Sequence, residues 1–190
     1  FGQQKYAESL ERVENSLPAL ELPGERAEAY MLAGRNQFAQ GEFAAAEKAF
    51  QQSLESQADW RQADETWLFL SRAQRKLDKL DEARESISQL ISEFPQSSVL
   101  DQAHFRLAEY AYSQGDFEAA NQEYKIVIDD YPESVYRPYA LYGRGWSNLR
   151  ERNLADAERN FTALIEQTPE HKLVYQALYA RGMSRQQAGE

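Results

Sequence analysis

Two histidines, His104 and His171, and no cysteine are what this chain offers to nucleophilic or metal chemistry. Metal centres and proton relays need such groups brought together at set spacings. No H-x-x-x-H, H-E-x-x-H, G-x-S-x-G or glycine-rich phosphate loop occurs. His104 falls at a bulky helical position, where a packed or half-buried ring is expected rather than a ligand. His171 falls at a predicted helix start and is expected to be exposed. The pairs Asp81-Glu82 and Asp129-Asp130 are adjacent in helical segments. Adjacent helical residues do not share a face, so both pairs read as solvated outer surface rather than as an acid and its base. Without cysteine, disulfides, thiolate chemistry and Cys-ligated zinc are ruled out. The expectation is a chain that is not an enzyme and uses no cofactor and no metal. Its chemistry would be recognition.

Recognition has its own residue types. Met31, Leu68, Phe105, Tyr142 and Tyr179 stand 37 residues apart. Four residues after each come Arg35, Arg72, Glu109, Trp146 and Met183, and three further on come Phe38, Arg75, Tyr112, Leu149 and Gln186. Positions i, i+4 and i+7 lie along one face of a helix. Such a face either packs neighbouring helices together or meets a ligand, and aromatic and arginine side chains are the usual anchors of interfaces. The candidate binding set is Met31, Arg35, Leu68, Arg72, Phe105, Glu109, Tyr142, Trp146 and Tyr179.

The elements that position these residues follow from the same period. Small residues recur at Gly34, Ser71, Ala108, Gly145 and Gly182, each four residues after a larger one: Tyr30, Trp67, His104, Leu141, Leu178. Turn positions follow at Gly41, Asp78, Gly115, Arg152 and Gly189. Then come an apolar residue (Phe43, Leu80, Phe117, Leu154), an alanine (Ala46, Ala83, Ala120, Ala157) and a large residue (Phe50, Ile87, Tyr124, Phe161). Pro95, Pro132 and Pro169 close three units. Within each half the apolar spacing is three, four or seven, the period of a helical face. Glycine at the turn tolerates positive φ, whereas Arg152 is a poorer fit. Each small residue lets the second helix of its unit approach the first. Proline ends the second helix because it cannot continue the hydrogen-bond ladder. Ser98 with Asp101, and Asp59 with Gln62, read as capping boxes.

This pattern of bulky, small, aromatic, alanine, aromatic and proline positions resembles the tetratricopeptide repeat, most clearly from Phe105 to Pro132. The resemblance covers about residues 27–190. The period of 37 exceeds the family's usual 34 or so. Three residues are almost one helical turn, so first helices lengthened at their N-terminal ends are expected. The resemblance implies an all-α right-handed superhelix of two-helix hairpins, about ten helices in all. The segments expected are a partial repeat and linker at 1–24, full repeats at 25–58, 59–97, 98–134 and 135–169, and the first helix of a truncated repeat at 170–190. Arg144 and Arg181, which replace Leu70 and Leu107 of earlier copies, are expected to snorkel. Neither end carries a polar capping helix, so the chain reads as a segment of a longer protein or as one capped by self-association through those ends.

In this family the first helices line a concave groove, which the resemblance makes the binding surface. First helices sum to a charge of +6 and second helices to −14, within a net charge of −10. A mildly basic groove backed by an acidic surface would focus its field on an acidic ligand. The overall acidity, with a pI near 4.8, argues against nucleic acid. No apolar run of 18 residues is present, so direct membrane insertion is not expected. Arg35 and Arg72 occupy positions where chaperone-tail binders of the family carry a Lys/Asn clamp, so that mode is not reproduced. The expected partner is a protein or peptide. Phe94-Pro-Gln-Ser-Ser and Tyr131-Pro-Glu-Ser-Val-Tyr resemble envelope-associated members, the Tol–Pal coordinator and the outer-membrane assembly lipoprotein. That likeness, with the lack of cysteine, favours a periplasmic or envelope setting. Two rival expectations are a self-assembling solenoid and the regulatory arm of a larger enzyme.

Overall fold

The computed structural model describes residues 2–189, and among them there are ten α-helices and no strand. Contacts divide the chain between Val99 and Leu100 into two compact units. The first holds α1 (Gly2–Ser16), a short 3-10 turn (Leu17–Ala19), α2 (Pro23–Gln40), α3 (Phe43–Ser56), α4 (Ala63–Lys76) and α5 (Leu80–Glu93). The second holds α6 (Leu100–Ser113), α7 (Phe117–Asp130), α8 (Arg137–Arg150), α9 (Leu154–Gln167) and α10 (Val174–Ala188).

Hairpin geometry comes from the small and large residues the period aligned. Ala46, Ala83, Ala120 and Ala157 are fully buried, as are Phe50, Ile87 and Phe161. A Cβ added to Gly34 would lie 2.6 Å from the Phe50 ring, and one added to Gly145 would lie 2.5 Å from Phe161. The glycines are therefore the seats of those rings. In unit 1 the core is Ala27, Met31, Phe50, Leu54, Trp60 and Leu70 with their alanines, plus a second cluster at Val13, Ala33 and Ala49. In unit 2 one core runs through Tyr124, Val127, Leu141, Phe161 and Leu164. All five turn positions take positive φ: 84° at Gly41, 63° at Asp78, 81° at Gly115, 62° at Arg152 and 88° at Gly189.

Two local expectations are corrected. Only α2, with 18 residues, is long at its N-terminal end; the extra residues do not lengthen α4, α6 and α8, which have 14 residues, the same as the second helices α5, α7 and α9. They build a bracket instead. Ser97 donates its Oγ–H to Asp64 at 2.5 Å and accepts the Val99 N–H at 3.2 Å. Ser134 repeats this with Asp101 at 2.5 Å and the Tyr136 N–H at 3.0 Å. The capping boxes are replaced: Asp101 serves the next unit's serine, Ser97 rather than Ser98 holds the loop, and Asp59 accepts from Gln57 Nε2 while Gln62 precedes α4 without a side-chain cap. The hydroxyl satisfies the backbone of a tight turn that a helix starting one turn earlier would have to give up.

Candidate functional site

Each unit presents the outward side of its first helices, and the two differ. In unit 1 the side is built on Phe69, whose ring stacks on Phe50 with centroids 5.7 Å apart. Arg72 lies over both Phe69 (4.9 Å) and Phe38 (5.1 Å), and Arg35 also lies over Phe69 at 5.3 Å. Guanidinium groups keep their charge on an aromatic face while their stems cover it. Arg35 and Arg72 are thus shared between the fold and the surface.

In unit 2 the same side opens into a cavity of about 690 Å³. Phe105 forms its floor, stacked on Tyr136 at 5.1 Å and met edge-on by Tyr139 at 6.2 Å. Arg106 and Glu109, one helical turn apart and ion-paired, form one wall. Val135, 74% exposed, stands at the rim beside Pro138 and His171. Tyr142 and Trp146 continue the aromatic side along α8, each meeting the Phe161 ring edge-on and each other at 6.2 Å. The arrangement offers an apolar hole with an arginine, a carboxylate and an imidazole at its edge. That is the make-up of a pocket for an apolar side chain held by a polar backbone.

His171 owes its place to the repeat. It occupies the bracket position of Ser97 and Ser134, and Pro138 stands where Asp64 and Asp101 stand, so the hydroxyl–carboxylate pair is gone. The ring takes over the backbone bond: Nδ1 accepts the Leu173 N–H at 3.3 Å. Its edge packs on Tyr139 at 4.9 Å, and Lys172 lies 5.0 Å from the Tyr139 centroid. Burial, and then the Lys172 charge, hold the imidazole below its ordinary pKa of 6.5.

The placement of the candidate set is mixed. Met31 and Leu68, each 3% exposed, are buried core residues of unit 1. Phe105 is also buried but faces the cavity, together with Glu109. Tyr142 and Trp146 are half-buried supports of that side. Tyr179 is open at 71%, next to Tyr175 at 83%, and lines no part of the cavity. His171 is half-buried rather than exposed, and His104 is a packed ring bonded through Nδ1 to Glu123 at 2.7 Å. Arg106, Tyr136 and Tyr139 escaped the sequence reading, which placed His171 only as an exposed helix start. Tyr139 carried a signal: it precedes Tyr142 by three residues on the same face. No three or more His, Asp or Glu among the described residues are grouped to hold a metal, and no helix among them is long and apolar enough to cross a membrane.

Residues 31–98 and 105–172, well over half of the chain, match the tetratricopeptide repeat family. Solved structures agree in fold. A tetratricopeptide repeat protein from Parabacteroides merdae ATCC 43184 is 19% identical with a TM-score of 0.75, over 86% of this chain and 61% of that one. This chain therefore spans under two thirds of that relative. BtubC from P. vanneervenii is 14% identical with a TM-score of 0.77, over 98% of this chain and 83% of its own. YrrB, described as a TPR protein with an unusual peptide-binding site, is 20% identical with a TM-score of 0.69, over 90% and 86%. No curated protein matches the sequence.

Proposed function

This chain belongs to the tetratricopeptide repeat family, and on that premise we propose that it is a protein-interaction scaffold whose first-helix side binds a peptide or partner domain, with the Phe105 cavity as the principal seat. The observation that carries the reading is the cavity itself: about 690 Å³, floored and walled by aromatic rings, with Arg106, Glu109 and His171 at its rim. Apolar side chains of an extended ligand enter beside Phe105 and Tyr139, and Arg106 and Glu109 fix the ligand backbone. Exposed ion pairs contribute only about 0–1 kcal/mol, so the aromatic contacts dominate affinity. Members of the family generally act as scaffolds without catalysis.

The finer reading is a role in bacterial envelope assembly or cell-wall coordination. Its support is the Phe94-Pro-Gln-Ser and Tyr131-Pro-Glu-Ser segments and the absence of cysteine. Fractionation of the source cells tests it, and recovery with the cytosol overturns it.

The binding reading is tested with peptides selected from a random library against the wild-type chain. Val135→Asp puts a charge at the cavity mouth without touching the core, and is expected to lose them with helicity unchanged. Asp129→Ala with Asp130→Ala, on the second-helix side, is expected to retain them. The reverse pattern overturns the assignment of the site.

A further inference from the structure

The repeat builds the same crevice on the second-helix side of both units, and the two crevices have opposite charge. In unit 1 it lies between α3 and α5 over α4, about 440 Å³, with Glu55, Glu82, Glu85 and Glu93 around Trp67 and Leu70. In unit 2 it lies between α7 and α9 over α8, about 350 Å³. Equivalent positions are 74 residues apart, so Leu70 becomes Arg144, Glu85 becomes Arg159 and Glu93 becomes Gln167. Arg137 joins them, and the sole carboxylate in this lining is Asp156, bonded to Arg159.

Two of the three arginines are accounted for by the protein. Arg137 donates from Nε to the Ile128 carbonyl at 3.2 Å and from Nη1 to Gln167 at 2.7 Å. Arg159 holds Asp156. Arg144 is different: its Nε is buried without a hydrogen-bond partner. Burial lowers its pKa, Arg159 lowers it further, and Asp129, itself bonded to Lys125, opposes the shift. A half-buried cation with an unmet donor beside a second cation is costly to keep. Two earlier copies place leucine here, Leu70 and Leu107, and the next copy repeats the arginine at Arg181, so the hairpin packs without the charge.

We propose that the α7–α9 crevice is a second binding site, distinct from the aromatic cavity, for an acidic peptide segment that places an Asp or Glu carboxylate between Arg144 and Arg159. The guanidinium fork matches a carboxylate in two parallel hydrogen bonds. Ile128, Leu141 and Ala163 supply an apolar bed beside the arginines for the rest of the segment. A long polyanion such as nucleic acid is disfavoured, because the flanking second-helix segments carry −5 and −2 and repel it at long range. A short segment with one or two carboxylates pairs locally without meeting that field.

The test is calorimetric titration of the chain with a blocked tetraglutamate peptide at low salt, with tetraglutamine and inorganic phosphate as parallel probes. Tetraglutamate is expected to bind, tetraglutamine not, and phosphate more weakly than tetraglutamate. Arg144→Leu installs the residue found at Leu70 and Leu107, so it is expected to weaken tetraglutamate binding roughly tenfold or more with a Tm that is unchanged or raised. Arg159→Gln, at an exposed position, provides a second variant with the same expected loss should Arg144→Leu fold poorly. Lys172→Gln, which removes the same charge on the aromatic-cavity side, is expected to leave binding intact. Wild-type affinity in both arginine variants overturns the proposal, as does an equal loss in Lys172→Gln, which would mean diffuse charge attraction. Phosphate binding as tightly as tetraglutamate overturns the choice of ligand.

Discussion

Gly143 shows how a single position sets the shape of the site. Its equivalents in the two preceding units are Phe69 and Arg106, yet here a side chain is excluded: an added Cβ would lie 2.4 Å from Cζ of Tyr124. Tyr124 is buried in the core next to Phe105, and burial raises its phenol pKa well above the ordinary 10. Gly143→Ala is expected to force the ring off its seat and cost about 1–3 kcal/mol, the usual cost of overpacking, measurable by denaturant unfolding. His171 makes a pH prediction. Its Nδ1 can accept the Leu173 N–H only when unprotonated, and its folded pKa is depressed. The unfolded chain therefore binds more protons near pH 6. The stability contributed by the neutral ring is complete above about 6.5, and it is lost as pH falls from there through the lower folded value. His171→Ser, which installs the residue found at Ser97 and Ser134, is expected to flatten the fall in Tm between neutral and mildly acidic pH. An identical slope in both proteins would remove His171 as its source.

At the scale of elements, every first helix runs into a turn residue with positive φ, and two of the five are not glycine. Arg152 at 62° holds a left-handed conformation that L side chains disfavour by about 1–2 kcal/mol. Part of that is recovered in the more restricted unfolded chain, so Arg152→Gly is expected to raise stability by up to about 1 kcal/mol. An unchanged or lower Tm would mean that its side chain compensates. The serine bracket is the other element-level device. Ser134→Ala removes a bond to a carboxylate and the acceptor for the Tyr136 N–H, for an expected loss of roughly 1–3 kcal/mol. Because Tyr136 stacks on Phe105, that variant should also weaken peptide binding at the cavity. Loss of binding in Val135→Asp but not in Ser134→Ala would show that the bracket does not position the wall.

For the whole molecule, charge is the property that separates the rival readings. A net charge of −10 opposes self-association at neutral pH. A self-assembling solenoid would have to overcome it by matching basic first-helix surfaces to acidic second-helix ones. Light scattering at low and high salt distinguishes the two. The scaffold reading expects one particle mass at both, whereas a charge-driven assembly grows at low salt and dissolves as salt screens it.

The 37-residue alignment by itself determined the hairpins, the buried alanines and the turns, because each of those depends on residues near in sequence and on one repeated contact. Ala83, Ala120 and Gly145 could be placed from the pattern alone. What only the tertiary structure decided is which side chains of a repeated face remain open. Met31 and Phe105 hold the same place in the period, yet Met31 is sealed into a core and Phe105 floors a cavity. The difference lies in their neighbours from other helices: Tyr136, Tyr139 and His171 prop the cavity open around Phe105, and Trp60 and Ala63 join Met31's core. The bracket of Ser134 on Asp101 spans 33 residues, and the arginine crevice draws residues from α7, α8 and α9. Periodicity records what repeats. A site arises where one copy departs from the others, and its effect is set by packing against residues distant in the chain.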